Sequence, residues 1–479
     1  MISKYTKNKK VLLALCISGV FCTSCSDFLE VQPPGQTTIP VLFSDMDGMR
    51  SAVIGAYGTM FDYYSSEFYM YPEIAGNMVS LKAGATIENM LHEYNFISNP
   101  DDETLATGYI WKKIFSALTN VNNILEYQPS LMETFPEYTT ELTKIRAQAL
   151  FLRALCHFDV CLVYAQPYSY TSDATHLGVP VLTVTPGADD NVGRSSVQEV
   201  YTQIVKDLND SQKAFGNTQM TDAWHASKTA SQALLCRVSL YMGDWDETIR
   251  MADSVLQVVP LAYGQNYLDM YNNNEAGDEA IFRLNGYHKS SWFYTNFYAA
   301  SSIKAVPADT LYNLFDPQDL RLSLIGQDAN GGRFSLKYRN NSSVSDLEKH
   351  YDPFVLRASE MYLNRAEAWL NKGELGNATA DLKILIARNL KKEVSEIFLP
   401  ESNVDSLQLI LRQERAKELC FEGHQFFDIV RWKQDLIRSA ASTSVVKFLA
   451  YPNDRFVLPI PQTELEANHN MVGNPTVNY

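Results

Sequence analysis

The sequence predicts a mainly α-helical chain in which paired helices form an α-α superhelix, interrupted by a long, irregular, loop-rich insertion. Three observations predict it. Apolar residues recur every three or four positions over most of the 479 residues. Two distant segments share one helix-turn-helix design. Between them, residues 260 to 356 lose the helical period and become rich in Tyr, Asn, Gly and Phe. With 46% hydrophobic and 20% charged residues the chain can bury a large core. Helical repeat folds grow past the usual domain size because each unit packs on its neighbours. Residues 41–479 therefore read as a single domain, with a scaffold over about 41–259 and 354–440 and an insertion at 260–353.

The first element is a secretory signal over 1–24. Lys4, Lys7, Lys9 and Lys10 precede an apolar run from Val11 to Phe21, then Thr23, Ser24 and Cys25. The run is shorter than the roughly 20 residues that span a hydrocarbon core, so removal is expected rather than a retained membrane helix. Cys25, directly after small residues, resembles the acceptor of a bacterial lipobox, and residues 25–40 read as lipid anchor and tether. Loss of four lysines and no acid takes the net charge from −15 to −19. That balance disfavours nucleic acid, whose binding needs Lys and Arg against phosphates, and suits neutral ligands.

Helices follow near residues 45–61 and at Leu105 to Tyr127, where Trp111 shares helical spacing with Ile114, Leu118 and Val121 and reads as core. Leu142 to Tyr164 places Leu142, Ile145, Ala149, Leu152, Cys156 and Val160 on one face of a long amphipathic helix. A Pro, Gly, Ser, Thr and Asp-rich loop over 165–194 leads to Ser-Ser-Val-Gln-Glu at 195–199, which resembles a capping box. The paired segments are 226–257 and 357–388, aligned at Gly243 and Gly373. In each, an apolar helix ends at Gly-Asp or Gly-Glu, and a small residue (Thr248, Ala378) marks the crossing with a second helix, as in a tetratricopeptide-like hairpin. Glu367, within Ala-Glu-Ala, reads as a hydrogen bonder at the core edge.

Chemistry-bearing patterns are few. Cys156, Cys161, Cys236 and Cys420 lie in apolar helical patterns without zinc spacing and read as buried thiols. HExxH, GxSxG, GxxxxGK[ST] and the dinucleotide-binding glycine pattern do not occur. His424 and Asp428 share a helix face, but two ligands without a third do not make a metal site. No enzyme, catalytic residue, metal or cofactor is therefore expected; whether a structural calcium is bound stays open.

Four stretches in order resemble the SusD/RagB family of outer-membrane nutrient-binding lipoproteins. They are CSDFLEVQPPGQ (25–36), KIRAQALFLRALCHFDVCLVYAQPY (144–168), ERAKELCFEGHQFFDIVRW (414–432) and FVLPIPQTELEANHNMVGNP (456–475). The third is the most specific, close to the family's E-R-x-x-E-L-x-F-E-G-x-R-x-F-D-x-x-R-W signature. Its Phe421, Phe426, Phe427, Ile429, Val430 and Trp432 supply apolar mass, and Arg415, Glu422, Asp428 and Arg431 can form buried charged hydrogen bonds.

What the resemblance implies is non-catalytic capture of an oligosaccharide at the cell surface. The chain would be anchored to the outer membrane through Cys25 and would pass its ligand to a SusC-like TonB-dependent transporter. A sugar ring stacks its apolar face on an aromatic side chain and offers hydroxyls to polar ones. Residues 285–298, with Tyr287, His288, Trp292, Tyr294 and Tyr298 beside Asn285 and Asn296, form one candidate platform. Asn77, Lys82, His92 and Tyr94 lie in 73–96, the region that supplies polar binding residues in the family. The bland reading is that these aromatics only pack the insertion onto the helices. Rival functions are peptide or other nutrient capture of the RagB type, a protein-only tetratricopeptide scaffold and, last, a hydrolase with two convergent carboxylates.

Overall fold

A computed structural model describes residues 38–475 other than Thr86, Glu88, 219–221, 273–278, 287–295, 297–302, 329–330 and 338–351. Cys25, Tyr287, His288, Trp292, Tyr294 and Tyr298 lie outside the described residues.

The chain is mainly helical. Helix α1 (Met46–Tyr64) starts where the Asp45 carboxylate accepts from the Gly48 amide at 2.8 Å. α2 (Glu67–Ala75) is wholly buried and leads into strand β1 (Val79–Leu81) and the short α3 (Leu91–Asn95). α4 (Ala106–Thr134) and α5 (Thr139–Tyr164) pack side by side, joined by a brief turn. Trp111 is 6% exposed and belongs to the core, as its spacing predicts. α5 is enclosed by α4 and α6 (Val197–Phe215). Its Arg153 donates to both oxygens of Asp207 of α6 at 2.8 and 2.7 Å. The expected capping box is present at the start of α6: Ser196 Oγ accepts from the Glu199 amide, and Glu199 accepts from the Ser196 amide at 2.8 Å.

The related segments fold as hairpins α7 (Lys228–Met242) with α8 (Trp245–Leu256) and, later, α10 (Ala358–Asn371) with α11 (Leu375–Leu390). Gly243 and Gly373 sit at φ +77° and +78°, a left-handed conformation that reverses the chain and that a Cβ would strain. Thr248 and Ala378 are fully buried at the crossings. α8 packs directly on α10, so hairpins far apart in sequence are neighbours in space. Arg365 of α10 ties them, donating to Asp253 of α8 and to Asp381 of α11, each at 2.6 Å.

The intervening stretch contains more regular structure than its composition predicts. Helix α9 (Gly264–Asn272) corrects the expectation that helical order ends at 260. Its Tyr267, Met270 and Tyr271 are buried, and the two tyrosine hydroxyls donate to Glu418 and Glu422 at 3.1 and 2.8 Å. These long-range partners outweigh a polar local sequence. β2 (Ala280–Arg283), β3 (Ala305–Pro307), β4 (Ile325–Gln327) and β5 (Arg333–Ser335) follow, then β6 (Phe354–Arg357) at the entry to α10. All pairings are antiparallel: β1 with β3, β2 with β6 and β4 with β5.

The C-terminal part adds α12 (Val404–Leu419), α13 (Gln425–Arg431), a small ribbon of β7 (Leu436–Ile437) with β8 (Phe448–Leu449), and α14 (Gln462–Ala467). The 414–432 signature forms a buried charge cluster. Arg357 donates to Glu279, Glu418 and Glu422 at 2.7–2.8 Å, Arg321 to Asp319, Glu414 and Glu418 at 2.7–3.0 Å, and Lys337 to Glu422 at 2.6 Å. Asp428 accepts from both Arg415 and Arg431, at 2.6 and 2.8 Å. The carboxylate is therefore occupied, and His424 beside it is buried at the start of α13. Among the described residues no group of three potential metal ligands forms. The four cysteines of the described chain are free and buried. Burial pushes the Cys420 thiol up to about 11.

Candidate functional site

A groove of about 260 Å³ runs beside the β1–β3 ribbon, closed on its far side by the Ser/Thr-rich segment 438–443. Asn77 and Lys82 from the sequence-predicted set line it, together with Asp309, Ser442 and Thr443.

The signature motif anchors one wall from behind, through Asn77, without lining the groove itself. Glu73, near the end of α2, accepts from the backbone amides of Phe421, Gly423 and His424 at 2.8–3.2 Å. Burial raises the Glu73 carboxyl to about 7 despite those three donors. The clamp brings Gly76 against Gln425, where a Cβ would lie 2.9 Å from the Pro72 carbonyl and 3.0 Å from the Gln425 side chain, so the close approach needs glycine. The Asn77 side chain then accepts from Gln425 at 3.0 Å and donates to the Ile437 carbonyl at 3.1 Å.

β1 and β3 form the second wall, with Val79 opposite Pro307 and Leu81 opposite Ala305. The Lys82 amide continues the ladder by donating to the Lys304 carbonyl at 2.7 Å, and the Lys304 amide donates to the Asn296 carbonyl at 2.8 Å. The two candidate stretches, 73–96 and 285–298, are thereby joined at one place. Asn296 is buried, while Asn285 is exposed at the other end of its stretch, where the Gly286 amide donates to Asp352 at 2.7 Å. The Lys82 ammonium reaches Asp328 at 3.4 Å, at the β4–β5 turn, and Asp309 pairs with Arg333 at 2.9 Å.

Tyr94 and Arg438 support the groove from beneath. Tyr94 is 1% exposed and its hydroxyl contacts Ser80, Ser442 and Thr443 at 2.9–3.1 Å, so it fixes the groove's edges and offers no open ring face. Burial favours its neutral form, but these hydroxyl partners outweigh that and lower its pKa. Arg438 is buried and donates to the carbonyls of Ile74, Ala75, Gly76 and Tyr94 at 2.6–2.9 Å while stacking on Tyr94. Burial pushes its guanidinium down to about 10. His92 does not line the groove and pairs with Asp102 at 2.8 Å. Reading the sequence missed Arg438, Asp309 and the run SAASTS at 439–444; that Ser/Thr cluster just after the signature was the available signal.

Residues 27–240 match the family model described as starch-binding associating with outer membrane, and residues 263–476 match the SusD family model. The chain belongs to the SusD/RagB family. SusD-like protein P2 of Formosa agariphila is 22% identical over 97% of this chain and 99% of its own length. A SusD superfamily protein from Bacteroides thetaiotaomicron has the same fold, with a TM-score of 0.80 at 23% identity over 90% of this chain and 100% of that one. A laminarin binding SusD-like protein gives a TM-score of 0.72 at 20% identity, covering 90% and 100% of the two chains. Membership of the SusD family implies a place at the cell surface on the outer membrane.

Proposed function

We propose that this protein captures a glycan in the groove beside β1 and β3 and passes it, without chemical change, to a SusC-like TonB-dependent transporter. It would be held on the outer face of the membrane by a lipid on Cys25. The observation that carries the reading is the meeting of the polar 77–82 stretch with the aromatic 285–298 stretch through the β1–β3 ladder. Hydroxyls and amides line the groove, and Tyr287, Trp292, Tyr294 and Tyr298 in the sequence of the adjoining stretch are the residue types that would stack on a sugar ring. The carboxylate in the groove, Asp309, is paired with Arg333 at 2.9 Å. The kinship with a laminarin binding SusD-like protein supports a glycan as the ligand class.

The test is calorimetric titration of the mature protein with a panel of neutral oligosaccharides, repeated on Trp292→Ala and Lys82→Ala. Binding weakened in both variants supports the groove. Binding by a peptide pool and by no glycan would favour the RagB-type alternative. Failure of both pools would favour the protein-only scaffold.

A further inference from the structure

A second cleft, of about 280 Å³, opens on the helical scaffold between the α7–α8 turn, the end of α10 and the end of the signature. We propose that it binds a carboxylate-bearing sugar, a uronic acid unit, at a site separate from the β1–β3 groove. The choice of ligand class rests on the reading of this protein as a glycan binder.

Charge is the first argument. The cleft is lined by Arg412, Arg431 and Lys433 against one carboxylate, Glu367, in a chain whose net charge is −15. That carboxylate is consumed: Arg431 donates to it at 2.8 Å through Nη2, and Trp432 Nε1 donates to it at 2.8 Å. Arg412 lies with its guanidinium 5.2 Å from the centroid of the Trp432 ring. Among the described residues it makes no hydrogen bond or ion pair, and neither does the exposed Lys433 side chain. Among the described residues Glu367 is the one carboxylate near Arg412 and is already bonded to Arg431 and Trp432, so the half-buried Arg412 guanidinium keeps its donors for an incoming carboxylate, which it can bind through two parallel hydrogen bonds.

Shape is the second. Trp245, at the first position of α8, is half-buried in the cleft wall, and Leu370 and Leu411 are buried behind it. An indole offers a flat apolar surface for a pyranose ring, and the amide of Gln408 stands within the same lining to meet hydroxyls. Small-molecule sites occupy about 300–1,000 Å³, so a cleft of this size fits one or two rings rather than a folded partner.

The experiment is calorimetric titration of the mature protein with galacturonic acid, trigalacturonate, its carboxyl-reduced counterpart and a glutamate tripeptide. Trigalacturonate is expected to bind, and Arg412→Gln to weaken it by at least about tenfold while the reduced sugar is unaffected by that change. Trp245→Ala is expected to abolish the binding and Trp292→Ala to leave it intact. Binding of the monomer alone would still support the site and assign it to free uronate. Should Arg412→Gln fold poorly, Lys433→Gln reads the same charge, with a several-fold loss expected. The proposal is overturned if no uronate binds, if binding ignores Arg412 and Lys433, or if the glutamate peptide binds with the same dependence. Uronate binding that depends on Trp292 instead would overturn the cleft and leave the groove reading standing. Neutral glycans indifferent to Trp292 and Lys82 would overturn the groove and leave the cleft.

Discussion

The charge cluster beneath the signature and the groove beside β1–β3 are both rich in polar side chains and differ in what those side chains lack. In the cluster, Arg357, Arg321, Glu418 and Glu422 are buried and each meets partners of opposite charge. In the groove, Lys82 is exposed, and among the described residues its ammonium has only a long contact to Asp328 at 3.4 Å. The difference teaches which polar groups build the protein and which remain open to a ligand. A buried charge must be matched within the chain, whereas an exposed one keeps its bonding capacity for something arriving from solvent.

The sharpest way to break this contrast is Arg357→Ala, which leaves Glu279, Glu418 and Glu422 buried around a missing cation. Unfolding in urea should show a loss of about 3–5 kcal/mol; a loss below about 1 kcal/mol would mean that the cluster is not integral to folding.

A second test uses pH. Burial raises the carboxyl of Asp159, on α5, to about 7, although Tyr63 donates a hydrogen bond to it at 2.9 Å. The native state therefore holds a proton that the unfolded chain releases at lower pH. This contribution to stability is full below the ordinary carboxylate range and declines as pH rises toward 7. Asp159→Asn should remove that part of the pH dependence, gaining on the order of 2 kcal/mol relative to wild type at pH 8 and little at pH 4. Thermal melts across that range provide the check.

Tyr94→Phe probes the boundary between the two regions, since it removes the hydroxyl that joins Ser80, Ser442 and Thr443 beneath the groove. A stability loss of about 1–2 kcal/mol is expected, with weaker glycan binding in the same titration. Lys82→Ala should have the smallest effect on stability, within about 0.5 kcal/mol, while lowering glycan affinity several-fold. A marked fall in its melting temperature would place Lys82 among the structural charges.

The helices were legible because their signals are local. Ser196 with Glu199, the glycines at 243 and 373, and the three-and-four spacing around Trp111 each specify backbone geometry within a few residues. The charged positions of the signature were legible as buried partners, but their partners were not. Arg321, Lys337 and Arg357 lie far upstream, and nothing in local spacing links them to Glu418 or Glu422. Tyr94 shows the same limit: its residue type fits a sugar platform, yet tertiary packing buries the ring and spends its hydroxyl on the edges of the groove.

The sequence by itself thus determined the helical repeats, their caps and the family signature, because hydrophobic period and backbone conformation are set by near neighbours. Only the tertiary structure decided which polar residues face solvent and which distant stretches meet. Pairing Ser80 with Val306, or placing Thr443 beside Leu81, depends on long-range closure that many local sequences tolerate and one packed core selects.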